Sequence, residues 1–151
     1  MSAPLSGLVL DLHCVINAPR ERVFATLTDP VEVTRWWGPQ GFAMPQADLQ
    51  LTLTGGYRFS MQPPEGDLFH ISGEFVEIDP PGRLAFTFRY DEPTPDDRES
   101  VVTLTLAALD ADITEVSLSQ GPFSTDERLG LHRRGWTDSL EKLRSVVETG
   151  D

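Results

Sequence analysis

The sequence predicts an α+β fold: a curved antiparallel sheet of about six or seven strands wrapped around one long C-terminal helix, with two short helices after the first strand. Three observations carry that prediction. Apolar residues alternate with period two in a run of segments separated by Gly, Pro and Asp turns. Helical spacing appears in two short stretches near the N-terminus. Only one stretch, at the C-terminus, is long enough to cover the apolar face that such a sheet must bury.

The elements follow in order. In "GLVLDLHCVINAP", Leu8, Leu10, Leu12, Cys14 and Ile16 share one face of a half-buried strand, with Asp11 and His13 on the other. Ala18-Pro19 ends it, and Pro19 opens the helix "PRERVFATLT", whose Val23, Phe24 and Leu27 point inward. A second helix, "DPVEVTRWW", has Asp29 as its cap, Pro30 in its first turn and Glu32 in a capping-box-like position, and Gly38-Pro39 stops it. The strands "ADLQLTL", "YRFSM", "LFHISGEFVEI", "RLAFTFRY", "VVTLTLAAL" and "ITEVSLSQ" come next. Gly55-Gly56 reads as a tight turn needing positive φ, and Gly121-Pro122 as the end of the sheet. In "RLAFTFRY", Leu84, Phe86, Phe88 and Tyr90 share a face. The last segment, "STDERLGLHRRGWTDSLEKLRSVVE", is capped by Ser124 or Thr125 and carries Leu129, His132, Trp136, Leu140, Leu143 and Val147 on one stripe.

Composition narrows the function. A chain of 151 residues suits one domain over 1–151, with its core over 8–147. The formal charge of −12, with one lysine (Lys142) and no basic run beyond Arg133-Arg134, speaks against nucleic acid and anionic membrane as partners. The single Cys14 excludes an internal disulfide and reads as a small buried hydrophobe. With no signal-like N-terminus and no apolar stretch approaching the ~20 residues of a membrane span, the expected location is the cytoplasm. His13, His70 and His132 lie too far apart for a metal site, and no phosphate- or dinucleotide-binding loop or nucleophile elbow occurs. Neither a metal nor a cofactor is therefore expected.

The segments "INAPRERVFATLTDPVEVTRWWGPQGF", "GGYRFSM", "GEFVEIDPPGRLAFTF" and "GWTDSLEKL" together resemble the bacterial proteins called activator of heat-shock-protein-90 ATPase homologue-like. These belong to the START-related, birch-pollen-allergen-like (SRPBCC) superfamily of helix-grip domains. The resemblance runs over about residues 8–147 and implies an apolar cavity between sheet and long helix.

The residues themselves support such a cavity. Trp37, Phe42, Tyr57, Phe59, Phe75, Phe86, Phe88, Tyr90 and Trp136 are many large rings for one thin core layer. The expected lining is Trp37, Phe42, Tyr57, Phe59, His70, Phe75, Phe86, Phe88, His132, Trp136 and Leu140. Its volume would be on the order of several hundred Å3. Of the adjacent Trp36 and Trp37, about 100° apart on a helix, one should anchor to the core and the other line the cavity; Trp37 adjoins the Gly-Pro turn and is assigned to the cavity. His132, on the apolar stripe, is either a satisfied core or rim histidine or a group that orients a ligand or acts as general base. Glu74 is the second catalytic candidate, because a core position in the set Ser72, Glu74, Val76, Ile78 would raise its pKa. "DEPTPDDRES" reads as a solvated loop, or as a gate beside the cavity.

Three functions follow: a carrier or sensor for a small apolar or amphipathic molecule, a cyclase- or hydrolase-type enzyme in the same cavity, or a co-chaperone-like interaction module. A homodimer stays open.

Overall fold

Seven strands form one sheet in the order β1-β7-β6-β5-β4-β3-β2, every neighbouring pair antiparallel. The structure, a computed structural model, describes residues 8–150; Gly7, the expected first residue of the first strand, lies outside them. The strands are β1 (Leu8–Ile16), β2 (Ala47–Leu49), β3 (Gly56–Met61), β4 (Phe69–Asp79), β5 (Arg83–Tyr90), β6 (Ser100–Asp110) and β7 (Ile113–Phe123). The helices are α1 (Arg20–Thr28), α2 (Pro30–Trp36) and α3 (Asp126–Thr149). Helix α3 packs across β1 and β7 and against α2, giving the helix-grip arrangement.

Period-two alternation decides the inner face. Tyr57 and Phe59 of β3, Leu84, Phe86 and Phe88 of β5, Val102, Leu104 and Leu106 of β6, and Val116 and Leu118 of β7 are all buried. Gln120 shares this face and is fully buried, which is tolerable only because its amide is satisfied. It donates to Ser100 Oγ at 2.9 Å and accepts from Trp136 Nε1 at 2.7 Å. Local chemistry sets the helix ends. Asp29 accepts from the Val31 and Glu32 amides at 2.8 and 3.1 Å, while Glu32 pairs with Arg35 rather than reaching back to the cap. Of the two expected caps of α3, Thr125 accepts from the Arg128 amide at 3.0 Å, whereas the Ser124 hydroxyl donates to the Asp96 carbonyl.

Four expectations need correction. Strand β2 ends at Leu49 instead of Leu53, because Thr52 and Gly55 turn the chain through their own amide bonds to Gln50 and Thr52. Gly55 and Gly56 do not take positive φ. Their lack of a side chain serves close approach instead: a Cβ on Gly56 would stand 2.2 Å from the Gly73 carbonyl oxygen. The sheet does not stop at Gly121-Pro122, since β7 continues to Phe123. Pairing jumps from Leu10↔Gln120 to Leu8↔Phe123, so Gly121 and Pro122 together oppose Val9 in a bulge where the proline's missing N–H is not needed.

The fourth correction concerns β4. Its pairing moves from Phe75↔Phe86 to Glu77↔Ala85, leaving Val76 as an extra, exposed residue. Before this bulge Phe69, Ile71 and Phe75 face inward and His70, Ser72 and Glu74 outward; after it Ile78 turns toward the core. The set Ser72, Glu74, Val76, Ile78 is therefore not one face.

Candidate functional site

The turn after α2 brings two adjacent tryptophans to different places. Trp36 is 1% exposed, and its indole Nε1 donates to the Thr26 carbonyl at 3.0 Å. That carbonyl is among the last four of α1, which have no partner within their own helix. Trp37 has left the helix and lies over the inner face of the sheet. Its ring meets Phe59 edge-on at 5.1 Å and Trp136 edge-on at 4.9 Å, and lies parallel to Phe88 at 6.4 Å between centroids.

Beside Trp37 the packing opens into a cavity of about 140 Å3, open to the surface. Three walls enclose it. The turn after α2 gives Trp37, Gly38, Pro39 and Phe42; the ends of β3, β4 and β5 give Met61, Phe69, Ile71, Phe88 and Tyr90; α3 gives Leu131, His132, Gly135, Trp136 and Ser139. The turn is tied to α3 through Ser139, whose hydroxyl accepts from the Gly38 amide at 2.8 Å and donates to the Gly135 carbonyl at 2.9 Å. Gly38 has φ of 100°, which explains why a glycine ends α2.

Among the described residues no charged side chain lines the cavity, and its main polar feature is a pair. The Tyr90 hydroxyl and His132 Nε2 lie 3.0 Å apart in a hydrogen bond whose donor depends on the imidazole tautomer. Phe88, Tyr90 and Phe123 surround the imidazole with ring centroids 5.2, 5.9 and 4.9 Å away. Burial in this apolar setting, with a smaller push from the Arg128 charge, lowers the His132 pKa to about 4. Burial likewise pushes the Tyr90 phenol up to about 12. Both shifts favour the neutral form of each group. Arg128 is held by Asp97 at 3.0 Å and by Thr94 Oγ1 at 3.1 Å, which ties the 91–99 loop to the start of α3 beside the pair.

Residues 17–148 match the model of the family described as Activator of Hsp90 ATPase homolog 1-like protein. The chain belongs to this family. Among solved structures, a protein from Chromobacterium violaceum is 27% identical with a TM-score of 0.84, the match covering 93% of this chain and 96% of that one. The AHSA1 protein from Silicibacter pomeroyi is 29% identical with a TM-score of 0.81, over 95% and 99% of the two chains. DynU16, from the dynemicin biosynthetic locus, shares the fold at 24% identity and a TM-score of 0.73, matching 95% of this chain but 48% of its own length. None of the curated proteins matches. Family and fold place this AHSA1-like chain in the helix-grip superfamily that the sequence resembles.

Within this AHSA1-like fold the expected lining residues separate into two groups. Trp37, Phe42, Phe88, His132 and Trp136 meet at the cavity. Tyr57, Phe59, Phe75 and Phe86 instead pack on one another and on Trp37, around a gap of about 20 Å3 that holds little more than one water. Leu140 is buried in the core away from the cavity. His70 faces the outer surface by strand parity, near Asp91. The rings fill their own space, and the cavity is accordingly smaller than the several hundred Å3 expected.

Glu74 is a further correction. It is exposed on the outer face, where both carboxylate oxygens meet the Arg89 guanidinium at 2.7 and 3.0 Å, and those hydrogen bonds lower its pKa instead of raising it. His132 Nε2 is bonded to the Tyr90 hydroxyl, where a backbone carbonyl or water was the expected partner of a plain core or rim histidine. Cys14 is half-buried, and burial raises its thiol pKa, which suits a packing role.

Sequence reasoning missed Met61, Phe69, Ile71, Leu131, Gly135 and Ser139, and left Tyr90 off the lining. The signals were present. Tyr90 alternates with Phe88, Ile71 with Phe69, and Met61 with Phe59, while Leu131, Gly135 and Ser139 step by four along α3, with Gly135 three after His132 and Ser139 three after Trp136. Among the described residues no three His, Cys, Asp or Glu side chains converge as metal ligands, and no helix is long and apolar enough to cross a membrane.

Proposed function

We propose that this protein binds a small hydrophobic or amphipathic molecule in the cavity between the sheet and α3, as a carrier or sensor. The observation that carries this reading is the open, uncharged cavity of about 140 Å3 walled by Trp37, Phe88, Trp136 and their neighbours. Apolar cavities near 150 Å3 take up a single six-membered ring. A ligand of that size, or one short chain of a larger one, fits the space. Membership of a family built on this fold supports the same reading.

An enzyme on the same scaffold would also need converging polar groups, and Tyr90 and His132 converge. Their pKa values, near 12 and 4, lie far from neutrality, where proton transfer is least efficient, so the pair favours binding over acid–base chemistry. A co-chaperone role, which the family's description suggests, makes a separate prediction: stimulation of a chaperone ATPase at micromolar protein.

The cavity reading is tested by native mass spectrometry of freshly purified protein, followed by titration of 15N-labelled protein with toluene. A co-purified small molecule, or toluene-dependent shifts at the indole N–H of Trp37 and Trp136, is the expected result. No added mass and no shifts at millimolar toluene would overturn it.

A further inference from the structure

We infer that the Tyr90–His132 pair is a polar anchor, and that the ligand is an uncharged, ring-sized molecule carrying one hydroxyl or carbonyl group. This rests on the cavity reading and specifies what that cavity takes. Hydrogen-bond bookkeeping leads there. Ser139, also on the wall, has its hydroxyl proton engaged by the Gly135 carbonyl and a lone pair by the Gly38 amide. The indole N–H of Trp136 is engaged by Gln120. Tyr90 and His132 have only each other, and among the described residues His132 Nδ1 makes no hydrogen bond while no buried side-chain N or O lacks a partner. That nitrogen is therefore open to solvent or ligand.

A neutral imidazole has one donor and one acceptor, and a phenol has one donor and acceptor lone pairs. Their mutual bond uses one of each. If the phenol donates to Nε2, the pair still offers Nδ1–H as donor and the phenol oxygen as acceptor. If Nε2–H donates, it offers the phenol O–H and the Nδ1 lone pair. In either tautomer one donor and one acceptor remain, with their positions exchanged. The pair can thus meet a hydroxyl or a carbonyl by shifting its own protons.

Charge selection follows from the walls. The lining contains no Lys, Arg, Asp or Glu. Beside the pair, on the far side from the cavity, Arg128 and Asp97 bond to each other at 3.0 Å, with Asp96 and Arg98 next to them. An ionised ligand would lose hydration with nothing to replace it.

The test compares toluene, phenol and benzoate at pH 7 on the wild-type protein and on the double variant Tyr90→Phe/His132→Leu. In the variant, phenol binding is expected to weaken about tenfold more than toluene binding does, the worth of one good hydrogen bond, and benzoate binds neither protein. Wild-type protein supplies an independent readout, which stands even if the variant does not fold: saturating phenol should move the His132 imidazole 15N shifts, and toluene should not. Equal weakening of phenol and toluene, unmoved imidazole shifts with phenol bound, or benzoate binding as tightly as phenol would each overturn the anchor and leave the cavity reading intact. Failure of both toluene and phenol to bind would overturn the two together.

Discussion

Replacing Gly135 by alanine is expected to stabilise the protein and weaken its ligand at the same time. Gly135 lies within α3 without positive φ, where alanine is favoured over glycine by about 1 kcal/mol. The new Cβ would meet Pro39 Cγ at 3.5 Å, an ordinary contact, so no strain offsets the gain. For a chain of this size about 1 kcal/mol corresponds to a rise in Tm of about 2–4 °C. Gly135 and Pro39 both line the cavity, so the added methyl takes ligand space. Losing the burial of about one methylene, ~0.8 kcal/mol, weakens toluene about fourfold. Gly130 provides the control: it is in the same helix, its added Cβ would lie 3.7 Å from Arg134 Nη1, and it is not on the cavity wall. Gly130→Ala should raise Tm similarly and leave toluene binding unchanged. Thermal unfolding followed by circular dichroism and a toluene titration measure both effects. A fall in Tm for Gly135→Ala, or equal loss of affinity in both variants, would refute the reasoning.

Three further outcomes are expected. His132 is buried neutral with its pKa lowered to about 4, so the unfolded chain, near 6.5, takes up a proton that the folded chain refuses. Its contribution is complete above about pH 6.5 and is lost as the pH falls toward 4, amounting to about 3 kcal/mol; urea unfolding at pH 7 and pH 5 should show this slope in the wild type and a shallower one in His132→Leu. Trp36→Phe removes the bond to the buried Thr26 carbonyl and should lower stability by about 2 kcal/mol, read as a lower urea midpoint at constant slope. Glu74→Ala should change stability by less than about 1 kcal/mol and leave toluene titration unaltered, because its partner Arg89 is an exposed surface charge.

Much of the fold was legible because it rests on local patterns. The alternation in "RLAFTFRY" coincides with β5, Asp29 caps α2, and the stripe through Trp136, Leu140, Leu143 and Val147 is the buried face of α3. The candidate site was half legible. Phe88 and Trp136 followed from periodicity, but so did Phe86 and Phe75, which pack among themselves. Periodicity tells which face a ring occupies and not whether another ring already fills the space beside it.

By itself, the sequence determined the order of elements, the apolar face of each strand, the termini of the helices and the resemblance to one family. These depend on residues within a few positions of one another, where backbone geometry and polarity act directly. Tertiary structure decided the rest. The bulge at Val76 depends on how β5 pairs with β4, and it turns Ile78 to the core while Glu74 stays outside. The division between Trp36 and Trp37 depends on an orphan carbonyl in α1 and on where α3 sets Trp136. The cavity is the volume left when side chains from three strands, a turn and a helix have packed, and its polar pair joins residues 42 positions apart. A void and a long-range hydrogen bond are properties of the assembled packing, and no local stretch of chain contains them.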